Sequence, residues 1–148
     1  MSKLFISAVL ASVAAGIPDV FVAAALSRTG PGRILQTIAS GVLGEASYGG
    51  GSTSMMLGLC LQVAMSFVIA LIYNIGFMHM VSVRRSPLIF GALYGIVIFV
   101  VMNFMVVPLS RAYPKPHWDV KSVVAMTIVM VLFAEVIALI ARAFGERA

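Results

Sequence analysis

The chain has 148 residues, 61% of them hydrophobic and 10% charged, with a net charge of +5, and its mean hydropathy is +1.09. A soluble domain carries roughly a quarter charged residues, and one of this size has too little interior to hide so much apolar surface, so the composition excludes a water-soluble globular protein. The Lys and Arg residues are spread over every connection and not gathered into a stripe, so no nucleic-acid partner is expected and the lipid bilayer is the expected surroundings.

Four apolar runs meet the requirement of about 20 residues for a helix crossing about 30 Å of hydrocarbon. They cover Leu4 to Leu26, Met55 to Phe77, Leu88 to Ser110 and Val123 to Ala143. Backbone exposed to lipid must satisfy its own hydrogen bonds, so each run is expected to be an α-helix. The expected fold is an all-α membrane protein, a four-transmembrane-helix bundle forming a single transmembrane domain over residues 1–148. The first run follows Lys3 and contains Val13-Ala14-Ala15, features of a signal peptide, but it is longer than a signal-peptide core and is expected to be retained as a helix.

Between the first and second runs, Pro31 to Ala46 carries Ile34, Leu35, Ile38, Val42 and Leu43 at helical spacing. This segment is too short to span and predicts an interfacial amphipathic helix lying along the membrane plane. Ile34, Leu35, Ile38 and Val42 should face the acyl chains or the bundle, and Arg33, Gln36, Thr37 and Ser40 the headgroups. A segment re-entering the bundle is the competing reading. Tyr48-Gly49-Gly50-Gly51-Ser52 supplies a flexible turn into the second run. The second and third runs are joined by a tight connection with His79, Arg84, Arg85 and Pro87, which predicts antiparallel neighbours. Tyr113, Pro114, Pro116 and Trp118, with His117 among them, form an expected interfacial anchor before the fourth run.

Inside these runs a carboxylate costs a few kcal/mol or more unless it is paired, protonated or hydrated. Asp19 and Glu135 are the acids well inside them. At about 1.5 Å per residue, Asp19, Gln62 and Asn103 fall about 22 Å from the side where the first run begins, with Thr127 near the same level. A polar layer at one depth is either a binding or proton-relay site or a set of interhelical hydrogen bonds that fixes packing. Glu135 lies about 10 Å nearer the starting side, close to Ser12 and Tyr94, and is not expected to pair with Asp19. Pro18 cannot donate to the Ala14 carbonyl, which predicts a helix break beside Asp19.

Gly91 and Gly95 form a GxxxG spacing, with Ala11 and Ala15 at the same interval in the first run, and both predict close helix packing. Arg28 and Arg33 flank the start of the interfacial segment and are candidate contacts for lipid headgroups. Cys60 is the one cysteine, so neither an intrachain disulfide nor a Cys/His metal set is expected. The histidines are not placed as a pair inside the membrane for haem, and no HExxH, GxSxG or Walker motif occurs. No catalytic residue, metal or cofactor is expected, and the chain is not read as an enzyme.

The stretches Gly16 to Ala23 (GIPDVFVA), Leu35 to Gly44 (LQTIASGVLG) followed by Gly49-Gly50, and Pro87 to Ser110 (PLIFGALYGIVIFVVMNFMVVPLS) resemble a family of small four-helix bacterial inner-membrane proteins to which no activity is assigned. The resemblance covers most of the chain through the third run and implies a bacterial inner membrane and a four-helix bundle. This chain departs from the pattern at Gln62, where a histidine is common, and around Glu135 to Leu139. Two functions fit best, an accessory or assembly subunit of a larger membrane complex, or a small homo-oligomeric transporter or channel for protons, cations or a small solute; a lipid-interacting stabiliser, suggested by Arg28 and Arg33, is a third. Partners are accordingly other membrane subunits or further copies of the chain.

Lys3, Arg84, Arg85, Arg142 and Arg147 fall on one side, and Arg28, Arg33, Arg111, Lys115 and Lys121 on the other, a tie. Short connections weigh most in the positive-inside bias, so the Arg84-Arg85 pair places both termini in the cytoplasm. A reporter fused to the C-terminus that is active only in the cytoplasm should be active; activity of a reporter that works only outside it would reverse the assignment.

Overall fold

The computed structural model describes residues 2–113 and 119–145. Pro114, Lys115, Pro116, His117, Trp118 and Arg147, named above, lie outside them. All regular structure among the described residues is helical: α1 (Ser2–Ser27), α2 (Pro31–Leu43), a 3-10 turn (Gly44–Tyr48), α3 (Gly51–His79), the short α4 (Val81–Arg85), α5 (Pro87–Val101), a π turn (Met102–Val106), α6 (Val107–Leu109) and α7 (Val120–Gly145). Four spans are long and apolar enough to cross a membrane: Leu4–Ser27, Gly51–Gly76, Pro87–Leu109 and Val120–Phe144. They match the four expected runs to within a few residues. α1 runs through Pro18 as one helix. The π turn precedes Pro108, whose missing N–H cannot serve the carbonyl four residues back, a recognised cause of local helix distortion.

Packing follows the small residues. α5 lies on α7, α7 on α1 and α1 on α3, whereas α3 and α5 meet at few points, chiefly through Tyr73 and Tyr94. The expectation that the helices joined by the short Arg84-Arg85 connection pack as antiparallel neighbours is therefore corrected in part: they are bonded at Tyr73 and Tyr94, but each packs mainly on another helix. The reason is steric. A Cβ on Gly95 would lie 2.6 Å from the Val131 Cα and 2.7 Å from the Met130 carbonyl oxygen, and one on Gly91 would lie 3.0 Å from the Ala138 Cβ. The expected glycine pair thus seats α7 directly on α5, and dispersion contacts at that distance outweigh connection length. Ala8, Ala11 and Ala15 of α1 meet Ala134, Ala138 and Ala141 of α7 and Ala70 of α3 in one core cluster, closed by Phe133, Ile137 and Ile98.

α2 departs from the interfacial expectation on one face: Arg33 and Thr37 are exposed and Ile34, Leu35 and Ile38 partly buried as expected, but Gln36, Ser40 and Val42 are not where the pattern placed them. Gln36 is 7% and Ser40 0% exposed, whereas Val42 is 52% exposed, so the small and polar face turns inward. Gly58 of α3 permits this, since a Cβ there would lie 1.9 Å from the Leu35 carbonyl oxygen. The α2 backbone rests on the α3 backbone, and a face of Gln36, Ala39 and Ser40 comes closer than bulky aliphatic residues could. Ser40 is satisfied in that position. Its hydroxyl lies 2.6 Å from the Thr37 carbonyl and 3.1 Å from the Tyr113 carbonyl, and it accepts the Tyr113 N–H at 3.0 Å. Arg111 N–H donates to the Gly41 carbonyl at 3.0 Å, tying the strand of chain after α6 to α2.

The helix ends show two contrasting caps. Asp119 precedes α7 and accepts the Ser122 N–H at 3.3 Å, and the Ser122 side chain beside it, with help from the backbone N–H groups of this turn, holds its carboxyl below the usual carboxylate range. After α1, Thr29 N–H reaches the Ala24 carbonyl at 3.1 Å and Arg28 N–H the Ala25 carbonyl at 3.4 Å, with Arg28 at φ 55°. This closure ordinarily uses glycine, and a side chain there costs about 1–2 kcal/mol.

Gly58→Ala should push α2 off α3 and lower stability by about 1–3 kcal/mol through overpacking. Thermal unfolding in detergent, read beside Gly30→Ala as an open-space control, measures this; equal midpoints for the two variants would contradict the docking.

Candidate functional site

The close approach of α1 and α3 sets up the first polar site. A Cβ on Gly16 would lie 2.6 Å from the Ser66 Oγ and 3.9 Å from the Gln62 Cγ, so the glycine lets the α3 polar face reach across. Gln62 Nε2 donates to Asp19 Oδ2 at 2.9 Å and to the Gly16 carbonyl at 3.2 Å. Asp19 therefore points into the bundle at Gln62, one of the two amides that depth offered it, Asn103 being the other. The backbone acceptor is the Gly16 carbonyl and not that of Ala14, which Pro18 frees. Asp19 Oδ1 is enclosed and has no hydrogen-bond partner.

The layer of four does not assemble. Asn103 donates to the Phe99 carbonyl at 2.9 Å and Thr127 to the Val123 carbonyl at 2.8 Å, each one turn back on its own helix. Shared depth makes pairing possible only between segments that touch at that depth, and Asn103 sits in the π turn, whose main neighbours are α5 and α6 and not α3 or α7. Both side chains take the local carbonyl instead, an ordinary outlet for a hydroxyl or amide inside a helix.

Glu135 lies apart from Asp19, in the half of the bundle that holds the start of α1. Its Cδ and Oε1 sit against α5 where a Cβ on Gly91 would come within 3.4 Å of each, so Gly91 is a seat for a carboxyl group as well as for Ala138. Oε2 is enclosed without a partner. The nearby tyrosine hydroxyls are engaged elsewhere: Tyr73 donates to the Pro87 carbonyl at 2.9 Å and Tyr94 to the Ile69 carbonyl at 2.8 Å, with their rings 5.4 Å apart. These two bonds are what joins α3 to the start of α5. Ser7 Oγ donates to Asn74 Oδ1 at 3.4 Å, leaving the Asn74 amide nitrogen buried and unpartnered.

Sequence reasoning missed Asn74, Tyr73 and the Ser40 hub. Asn74 stands near the end of an apolar run, where a polar residue reads as interfacial, and its burial depends on Ser7 of a different helix. Among the described residues no group of three or more His, Cys, Asp or Glu is placed to hold a metal ion. The arrangement offers hydrogen-bonded clamps between helices and two carboxyl groups with one unpartnered oxygen each.

Gln62→Leu removes both donors from α1 and should lower stability by about 0.6–2 kcal/mol, the range for interhelical bonds in membranes. Asp19→Asn keeps an acceptor for Gln62 and should fold with little loss. Denaturation in mixed micelles would refute the clamp if Asp19→Asn proved the more damaging change.

No family model, curated protein or solved structure matches the chain, so its functional reading rests on this geometry.

Proposed function

We propose that the chain is a non-catalytic accessory or assembly subunit of a larger complex, embedded in the bacterial inner membrane with both termini in the cytoplasm. The membrane identity rests on the resemblance through LQTIASGVLG and the third apolar run, and the orientation on Arg84 and Arg85. The observation that carries the functional reading is the consumption of polar groups inside the protein. Gln62 serves Asp19 and Gly16, Asn103 and Thr127 bind back to their own helices, and Tyr73 and Tyr94 are held by carbonyls. Polar side chains so spent are engaged in holding helices and not left to bind a solute, as suits a packing subunit. The outer faces suit lipid or another apolar subunit, with Phe21, Val68, Ile72, Ile89, Leu93 and Phe104 exposed. This role needs no cofactor and no nucleic acid.

A second reading has one observation in its favour. Asp19 Oδ1 and Glu135 Oε2 are enclosed oxygens with no partner, and an acid so placed in a membrane is an established mark of proton and ion pathways. It describes a small homo-oligomeric transporter or channel for protons, cations or a small solute.

Extraction of the untagged chain from its native membrane in a mild detergent should return it with other membrane proteins in a defined ratio. A monomer or homo-oligomer at every expression level would sink the subunit reading. In reconstituted vesicles, proton flux abolished by Asp19→Asn or Glu135→Gln with the fold intact would establish the transporter instead.

A further inference from the structure

Arg28 is the one non-glycine residue at positive φ among the described residues. The turn it completes needs only backbone: its N–H and that of Thr29 cap the last carbonyls of α1, and glycine fills such positions without strain. An arginine there adds strain and contributes nothing to the cap, and a residue held in a disfavoured conformation against an easier alternative points to a use for its side chain. Its guanidinium is exposed.

On the other side of the Thr29-Gly30-Pro31 turn, Arg33 is held in place. Its Cζ lies 3.9 Å over the centre of the Tyr48 ring. That ring is itself anchored, its hydroxyl meeting Thr37 Oγ1 at 3.1 Å and the Tyr113 carbonyl, while Tyr113 is tied to the buried Ser40. A guanidinium stacked by its face keeps its N–H edge free and loses little entropy when it binds an oxyanion. Neither arginine forms an ion pair among the described residues. The first turn of α2 holds no acid, and Asp119 on this side is bonded to Ser122. The remaining carboxylate on this side, Glu45, is exposed.

We propose that Arg28 and Arg33 together bind the phosphate of an anionic phospholipid headgroup, at the membrane surface opposite the one where α1 begins. This rests on the membrane reading of the chain and is independent of whether the protein is a subunit or a transporter. Phosphate oxygens match the planar guanidinium edge, and a lipid supplies the phosphate at the level where α1 ends and α2 starts. The acyl chains then lie along the exposed Leu26, Val42 and Leu43.

The test is native mass spectrometry of the delipidated full chain in detergent with phosphatidylglycerol, phosphatidylcholine or inorganic phosphate, beside thermal unfolding of each variant. Phosphatidylglycerol should stay bound where the other two do not. Arg28→Gly should weaken its binding about tenfold, the loss of a charge-assisted hydrogen bond, and at the same time raise the unfolding midpoint. Arg33→Lys, which keeps the charge and loses the planar fork, should weaken binding with the midpoint unchanged. Undiminished binding in Arg33→Lys would replace the site by diffuse charge, and undiminished binding in Arg28→Gly would remove its reason for tolerating strain. Displacement of phosphatidylglycerol by equimolar inorganic phosphate would overturn the lipid as the source.

Discussion

In an apolar surrounding there is no water to expel between helices, so helices associate through the distance at which their backbones can meet. Gly95 against Met130 and Val131, Gly58 against Leu35, and Gly16 against Ser66 are the places where that distance is shortest. Each contact decides more than its own pair. Gly95 draws α5 to α7 and so away from α3; Gly16 draws α3 to α1; Gly58 gives α2 a berth on the outside of α3. The order of helices around the bundle follows from these three approaches together with the alanine contact of α1 on α7, with the short α4 connection adapting to them.

The polar chemistry is downstream of the same approaches. Gln62 can bridge Asp19 and the Gly16 carbonyl because Gly16 brings α1 within reach. Asn103 and Thr127 were expected at the same depth, but neither bonds across to another helix and each turns to a carbonyl one turn back on its own. The same side-chain chemistry yields a clamp in one place and a self-satisfied helix in another, and backbone separation decides between them.

The four spans were legible because hydrocarbon thickness imposes a length that few other constraints mimic, and the Gly91/Gly95 seat because a missing side chain is visible in sequence. The direction of Asp19 was legible for a related reason: an acid at that depth has few tolerable environments, and Gln62 and Asn103 were the amides at its level, of which the structure uses Gln62. Failure came where hydrophobicity was used to orient α2. In water the apolar face turns inward, but at a membrane both outward and inward surroundings are apolar, so Val42 gains nothing by burial, while Ser40 gains a close fit and the Tyr113 backbone as partner. Period alone identified the helix and could not tell which face a second helix would accept. The expected packing of α3 on α5 is limited to the contacts of Tyr73 and Tyr94 because loop length limits which helices can be neighbours and does not select among them. Asn74 and Tyr73 were hidden because their partners, Ser7 and the Pro87 carbonyl, are distant in sequence or lie in the backbone.

The two acids differ in a way that bears on function. Asp19 has a strong amide donor on one oxygen, so its position is fixed by α3 and its removal is first of all a packing question. Glu135 has no donor on its enclosed oxygen and rests on a glycine. The tyrosines beside it spend their hydroxyls on carbonyls whose loss would open α3 from α5. A group that stabilised the fold would be expected to hold such a donor, and this one holds none. Glu135 is therefore where a structural account of the bundle is weakest: Asp19 is explained by the clamp it belongs to, whereas the cradle at Gly91 accommodates the Glu135 carboxyl without bonding it. A pure scaffold gains nothing from an acid in that position over the apolar residue that would fill it. Subunit and transporter thus diverge at Glu135 more sharply than at Asp19, and the chemistry of that one carboxyl group separates them.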